Sequence, residues 1–239
     1  MKIAVISDIH ANIGALEAVL EDIKGQSVDQ VYCTGDLVGY APYPNEVIEL
    51  IKNSQIAAVM GNYDDAIGNM RLICGCDYQD DKAQALGAAS ITWTKEHTSE
   101  ENKEFLRSLP AQIRFTVDKQ RVLLVHGSPA RLNEYIHEDT DLLEAVDHIV
   151  KGDTDILICG HTHKPYHRAI CNKHIINAGS VGKPKHGSPE ATYVILKFGP
   201  ELEVEIRKVN YDYEAAAKAI EAAALPAEFA AMLRQGKGV

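Results

Sequence analysis

The sequence predicts an α/β fold with parallel strands first and antiparallel strands late. Three observations carry this. Strand and helix signals alternate as βαβαβ over residues 1–60, an order that implies parallel pairing. Short apolar strand runs crowd the second half, with hairpin-like turns at Asp118-Lys119 and Gly199-Pro200. The chain has 239 residues, 46% hydrophobic and 24% charged, which is globular composition with enough length to bury a core without staples.

The elements follow in order. Lys2–Ser7 is a short apolar run rich in Ile and Val, read as a buried strand. Asn12 caps a helix to about Lys24, with Leu16, Val19, Leu20 and Ile23 at helical spacing. Val28–Thr34 is the second strand. Pro42 and Pro44 open another helix carrying Val47, Ile48, Leu50 and Ile51, and Ile56–Met60 is the third strand. Asp80–Glu96 and Ser99–Leu109 read as helices. Strands return at Gln112–Val117, Arg121–Val125, Asp155–Cys159, Lys173–Ile176, Ala191–Lys197 and Leu202–Lys208, with a helix near Asp139–Val150. Asp212–Ala224 is an Ala-rich helix that covers a sheet face or a dimer surface. Ala227–Arg234 is a further helix, and Gly236-Lys237-Gly238 reads as a frayed end. No repeat, linker or composition break divides the chain. Residues 1–239 therefore read as one domain, with C-terminal helices over 212–235 packed on it.

Charge and termini exclude several classes. The 34 Asp and Glu against 24 Lys and Arg leave a net charge of −10, which argues against sequence-independent nucleic acid binding. The apolar run at the N-terminus is broken by Asp8 and is too short for a signal-peptide core. No stretch reaches the ~20 apolar residues of a membrane span. Five cysteines, an odd count in a large chain, argue against a disulfide framework. Cys33 and Cys159 read as core residues, and Cys74-Gly75-Cys76 as a reduced loop. These features together predict a cytoplasmic protein.

Five polar clusters each follow a strand signal directly: Asp8-Ile9-His10, Gly35-Asp36, Gly61-Asn62-Tyr63-Asp64, His126-Gly127 and Gly160-His161-Thr162-His163. In open α/β sheets, ligands gather beyond the carboxyl ends of the strands, so five strands can deliver these groups to one edge. Imidazole, carboxylate and amide donors without thiolate suit Mn, Fe, Co, Ni or Zn better than Mg or Ca. Seven ligands exceed the needs of one ion and match two ions that share a carboxylate. Such pairs hold their ions ~3.5–4 Å apart and clamp both oxygens of an in-line phosphoryl displacement. Each cluster alone is a common accident. The joint order is the specific signal.

That order, D-x-H, G-D, G-N-x-D, H, G-H-x-H, resembles the calcineurin-like metallophosphoesterase superfamily, from Met1 to about Val209. Asn177-Ala178-Gly179-Ser180-Val181-Gly182 resembles the N-P-G-S-V-G stretch of its small bacterial and archaeal phosphodiesterase-like branch, as do Val38-Gly39-Tyr40-Ala41-Pro42 and His126-Gly127-Ser128-Pro129. The resemblance implies a four-layer αββα sandwich of two mixed sheets flanked by helices. It also implies a dinuclear phosphoesterase acting on a small phosphorylated substrate, with phosphodiesters or nucleotides favoured. Asp8, His10 and His163 would bind one ion, Asn62, His126 and His161 the other, and Asp36 both. A hydroxide held between the ions would attack phosphorus, and Asn62, Tyr63 and His126 would contact substrate.

One position departs from the pattern. The family commonly reads G-N-H-D, and here the third residue is Tyr63. A tyrosine with a reference pKa of ~10 stays a neutral donor at pH 7, where His would be a general acid. Tyr63 either hydrogen-bonds a phosphoryl oxygen or packs at the strand end. Asp64 either orients residue 63 and its loop or serves the turn. Arg168, Lys183, Lys185 and His186 are softer candidates for phosphate charge. His97, His137, His148, His167 and His174 lack a ligand context and read as surface or helix residues.

Signatures of P-loop enzymes, helix-borne zinc proteases, serine hydrolases and dinucleotide folds are absent. The main rival is a catalytically weak metal-binding scaffold or sensor of the same fold. The presence of all seven ligands favours catalysis.

Overall fold

The computed structural model describes residues 1–77 and 80–238. Two mixed five-stranded sheets are packed face to face. The first takes β1 (Lys2–Ile6), β2 (Gln30–Cys33), β3 (Ala57–Ala58), β9 (Ala191–Lys197) and β10 (Glu203–Val209), in the order β10-β9-β1-β2-β3. The second takes β4 (Ile113–Val117), β5 (Gln120–Leu124), β6 (Ile156–Cys159), β7 (Tyr166–Ile170) and β8 (Lys173–Asn177), in the order β4-β5-β6-β8-β7. As the βαβαβ pattern predicts, β1, β2 and β3 are parallel. The predicted hairpins are antiparallel: β4 with β5 and β9 with β10. Asp118 and Lys119 both adopt positive φ, 49° and 70°, as a two-residue type I′ turn requires.

Strand alternation builds the layers. Along β1, Ile3 and Val5 face the second sheet and meet Val122, Leu124, Ile156 and Ile158. Ala4 and Ile6 point to the opposite face. There they pack on α1 (Ile13–Lys24), α2 (Pro44–Asn53), α3 (Asn62–Gly68) and α5 (Glu100–Ser108) through Leu16, Ile48, Ile67 and Leu106. The outer face of the second sheet is covered by α6 (Leu142–Lys151) through Ala145 and Ile149. Helix, sheet, sheet and helix therefore form the four-layer α/β sandwich. Each strand buried on both faces explains why its sequence reads as a near-continuous apolar run.

Helix ends obey their sequence signals. Asn12 caps α1 by accepting from the Ala15 amide, Asp80 caps α4 (Asp81–His97) through the Ala83 amide, and Ser99 caps α5 through the Asn102 amide. The two C-terminal helices, α7 (Tyr213–Ala222) and α8 (Ala227–Gln235), bury Ile220, Phe229 and Leu233 against Ala11, Ala41 and Leu86. The Ala-rich helix thus covers loops after β1 and β2 and the face of α4, rather than a sheet.

Three features differ from the sequence reading. Helix α3 begins inside the Gly61–Asp64 cluster, and its seven residues are too few to display a helical period. Strand β7 pairs antiparallel with β8 across Cys171 and Asn172, whose φ of 48° and 64° form a turn without the usual glycine. The end read as frayed is tied down. Gly236 has φ +60°, its carbonyl accepts from the Gly187 amide at 2.9 Å, and a Cβ there would lie 2.1 Å from the Ser188 carbonyl oxygen.

Candidate metal centre

All seven candidate ligands lie just beyond strand ends. Asp8 and His10 follow β1, Asp36 follows β2, Asn62 follows β3, His126 follows β5, and His161 and His163 follow β6. The two sheets meet so that these ends share one edge. The backbone there is bent against its preference. Asp8, His10, Asp36, His161 and His163 all adopt left-handed φ, between 49° and 64°. Such strain concentrates at functional sites and needs surrounding structure to hold it. Here the Asp8 amide donates to the Gly35 carbonyl at 2.9 Å and the His10 amide to the Asp36 carbonyl at 3.0 Å. Gly61 approaches so closely that a Cβ would sit 2.1 Å from the Asp36 amide nitrogen. That closeness, rather than φ, requires the glycine.

Three of the four imidazoles are locked by backbone carbonyls. Nδ1 of His10 donates to Val38 at 3.0 Å, Nδ1 of His126 to Thr34 at 2.8 Å, and Nδ1 of His163 to Lys183 at 2.5 Å. Each Nε2 is thereby left as a lone pair, the arrangement seen behind metal-ligating histidines. Yet Nε2 of His10 faces Nε2 of His163 at 3.2 Å, and Nε2 of His126 faces Nδ1 of His161 at 3.2 Å. The facing lone pairs of His10 and His163 repel unless a cation stands between them. Oδ1 of Asp8, 3.2 Å from Nε2 of His163, is buried without a hydrogen-bond donor among the described residues, as is Nε2 of His161. The donor set fits divalent cations.

Two groups result. Asp8, His10 and His163 offer ligand atoms within 4.8 Å of one another, and so do Asp36, His126 and His161. Asn62 joins the second, with Oδ1 2.8 Å from Nε2 of His126. Its Nδ2 is held by the Cys74 carbonyl and Cys76 Sγ, both at 3.2 Å, which turns the oxygen inward. Asp36 stands between the groups. Its Oδ1 accepts from the Tyr63 amide at 2.8 Å, while Oδ2 lies 3.7 Å from Nε2 of His10 and 3.5 Å from Nε2 of His126.

Burial sets the charge states. It pushes all four imidazoles down, His163 to about 4, so each is neutral and able to ligate at pH 7. Burial would raise Asp8, but the facing His163, His126 and His10 outweigh it and hold the carboxyl below its usual range. Burial, with Asp64 and Asp8 nearby, raises Asp36 well above its usual value. Burial also pushes Asp64 up to about 6 against four backbone amides, those of Gly61, Leu37, Asp36 and Val38. Three buried carboxylates crowd together, and positive charge at the lone pairs is what the arrangement lacks.

Above the ligands opens a cavity of about 370 Å³. His10, Asp36, His161 and His163 form its floor. Tyr40, Tyr63, Tyr135, Cys76, Asp77, Asp80, Lys164, Lys183, Lys185 and Lys237 are among the residues lining its walls. Tyr63 is 1% exposed, with its ring edge-on to His10 at 5.5 Å and beside Tyr40 at 4.8 Å. It both lines the cavity and packs.

Asn62 and His126, expected to contact substrate, lie beneath the lining residues. Asp64 is not in the cavity wall either. Its carboxylate accepts from the amides of Asp36 at 2.8 Å, Leu37 at 2.9 Å and Gly61 at 2.9 Å, which makes it a positioning residue for the Asp36 loop. Of the softer candidates, Lys183 and Lys185 reach the cavity. Arg168 instead donates to the carbonyls of Glu138 and Thr140, and His186 lies outside the lining. Lys183 is 7% exposed, with its ammonium 4.2 Å from the Tyr40 ring centroid. Burial and neighbouring Lys185 bring it down to about 7.

Sequence reasoning missed Tyr135, whose ring is tilted against His161 at 4.1 Å between centroids, along with Lys164 and the folded-back tail at Lys237 and Gly238. None carries a motif. Of the five other histidines, His148 is buried in α6, and His167 pairs with His174 across β7 and β8 at 2.9 Å.

The fold is thus a sandwich of two mixed sheets that carries two adjoining groups of His and carboxylate side chains at its strand ends. The chain belongs to the calcineurin-like phosphoesterase superfamily, whose domain model matches residues 1–200. It is similar to the uncharacterized protein MJ0912 of Methanocaldococcus jannaschii, 34% identical over 94% of this chain and 93% of that one. It is also similar to the phosphodiesterase YfcE of Escherichia coli K12, 26% identical over 82% of this chain and 87% of that one. A metallophosphoesterase structure from Sphaerobacter thermophilus superposes with TM-score 0.78 at 31% identity, over 99% of both chains. A structure from Pyrococcus horikoshii OT3, protein PH1004, superposes with TM-score 0.84 at 25% identity, over 100% of this chain and 99% of that one. Among the described residues no helix is long and apolar enough to cross a membrane.

Proposed function

We propose that the protein is a dinuclear metal-dependent phosphoesterase that hydrolyses a small phosphodiester or nucleotide-type substrate. The observation that carries this is the position of Asp36. One carboxylate oxygen is fixed on the Tyr63 amide and the other faces imidazoles of both ligand groups, at 3.7 and 3.5 Å. In this reading Asp8, His10 and His163 hold one ion, Asn62, His126 and His161 hold the other, and Asp36 contributes to both.

Two divalent ions of the Mn, Fe, Co, Ni or Zn type, when bound, supply Lewis acidity toward phosphoryl oxygens and a reactive water at neutral pH. The chain's own residues do the rest. Asp64 fixes the Asp36 loop, the backbone carbonyls of Val38, Thr34 and Lys183 aim the imidazoles, and the lysines bring positive charge to the cavity wall. Tyr63 offers a neutral donor where the family commonly has histidine. The phosphodiesterase name of the YfcE relative supports the diester preference.

The test is a metal-reconstituted activity screen over phosphodiesters, phosphomonoesters and dinucleoside polyphosphates. Turnover of at least one class, abolished by chelation and restored by metal, is expected. Two ions bound with no turnover of any class would move the assignment to a metal-binding scaffold.

A further inference from the structure

We infer that Lys183 and Lys185 form a subsite for a second phosphoryl group, so that the substrate carries two linked phosphoryl groups rather than one. This rests on the phosphoesterase reading for the placement of the scissile group on the floor.

The two lysines flank Pro184, after the turn at Val181 and Gly182, and both line the cavity. Their segment is anchored at both residues. The Lys183 amide donates to Ser180 Oγ at 2.8 Å, and the Lys185 amide donates to the His163 carbonyl at 3.2 Å. The base of each side chain is thus fixed to the ligand loop. Lys183 is buried and Lys185 half-buried. A buried ammonium is costly unless an anion or hydrogen-bond acceptor meets it. Among the described residues neither ammonium has a carboxylate within 4.0 Å, and neither donates a hydrogen bond to protein. Asp77 and Asp80 line the same cavity but stand outside that distance. The Tyr40 face, 4.2 Å from the Lys183 ammonium, offsets part of the cost and carries no full charge. A partner that matches the two amines enters from the cavity and is anionic.

Position separates this anion from the scissile group. The floor is made of carboxylate and imidazole. The Lys183 ammonium sits on the wall over Tyr40, a ring whose edge meets His10 at 4.9 Å between centroids. Among the described residues it stands more than 4.0 Å from the ligand carboxylates Asp8 and Asp36, whose ion pairs within that distance are with imidazoles. Two lysines lining one cavity match the charge of a terminal phosphoryl, and lysine suits phosphate as a compact point charge. A substrate with a single phosphoryl would satisfy the floor and leave both lysines unpaired. One with a pyrophosphate link satisfies both.

The experiment compares AMP with ADP, which differ only in that group. Calorimetric titration uses metal-loaded wild type, Lys183→Met and Lys185→Gln, with metal content measured before and after. For wild type, ADP binds about tenfold or more tightly than AMP, the range of one or two charge-assisted hydrogen bonds. In each variant the preference collapses toward parity, with ADP losing far more than AMP. Equal affinity of wild type for the two nucleotides overturns the subsite. So does an equal loss for both in the variants, which would mark the lysines as general electrostatics or packing. Lys185→Gln, at a half-buried position, keeps the test open if Lys183→Met fails to fold. ADP preference without turnover of any phosphoester would keep the subsite and sink the hydrolase reading. Turnover without the preference would do the reverse.

Discussion

The floor of the cavity and its walls are built from different parts of the chain. The seven ligands in and beneath the floor sit within a few positions of five strand ends, five of them on left-handed backbone and three of the four imidazoles pinned by carbonyls. Wall residues come from loops and a tail: Cys76 and Asp77 after α3, Tyr135 after β5, Lys183 and Lys185 before β9, and Lys237 after α8. The floor is held by several constraints at once: close glycines at Asp8 and Asp36, and carbonyl bonds to the rings of His10, His126 and His163. The walls are held by fewer constraints. Chemistry common to a superfamily suits the floor, and substrate choice suits the walls.

Breaking the floor is expected to produce the largest effects. Asp36→Asn keeps the shape and removes the charge that faces both groups. Turnover should fall by at least ~10²–10³-fold, the scale of losing one preorganised electrostatic element. Steady-state kinetics checks this, and a fall below tenfold would remove Asp36 from its central place.

Asp64→Asn tests the layer beneath. It presents an amide donor to three backbone N–H groups that now share a carboxylate. A cost of ~1–3 kcal/mol in stability is expected from an unsatisfied buried group. Metal affinity should weaken ~10–100-fold, as for other groups that orient ligands. Unfolding melts and metal titration measure the two separately.

The floor should also reveal itself through pH in metal-free protein. The four imidazoles are lowered by burial, so below about 6.5 the unfolded chain binds protons that the folded chain does not. Stability is therefore lost as pH falls from ~6.5 toward 4, where His163 itself titrates. Asp36 and Asp64, both raised by burial, act in the opposite sense, and four groups outweigh two. The Tm of chelated protein should be lower at pH 5 than at pH 7. A flat or rising profile on acidification would contradict the buried neutral imidazoles.

Where floor meets wall, the expected effect is smallest. Tyr63→His places an acid near pH 7 beside His10. Alkyl phosphoesters, which need leaving-group protonation, should gain several-fold relative to aryl esters. Equal change for both ester types would leave Tyr63 a packing residue.

The same division explains what was legible in the sequence. The parallel β1-β2-β3 arrangement, the late hairpins and the ligand clusters could be read because strand periodicity and glycine-flanked polar residues are local signals. Helix α3 and strand β7 escaped because the first is seven residues long and the second reads Tyr-His-Arg-Ala-Ile, with polar residues on an edge strand. Asp64 was noticed, but its partners at Asp36 and Leu37 lie about 27 positions back, so its role needed the fold. Lys183 was only a soft candidate for phosphate charge, alongside Arg168 and His186, because burial is a tertiary property. The tail at Lys237 looked loose because its contacts with Gly187 and Ser188 are nonlocal.

The dinuclear proposal requires the seven ligands to hold a pair of ions. Its most direct test is manganese reconstitution followed by elemental analysis and electron paramagnetic resonance. Two manganese per chain with an exchange-coupled spectrum is the predicted result, since ions ~3.5–4 Å apart through a shared carboxylate must couple. One manganese per chain, with the spectrum of an isolated ion at saturating metal, would contradict it.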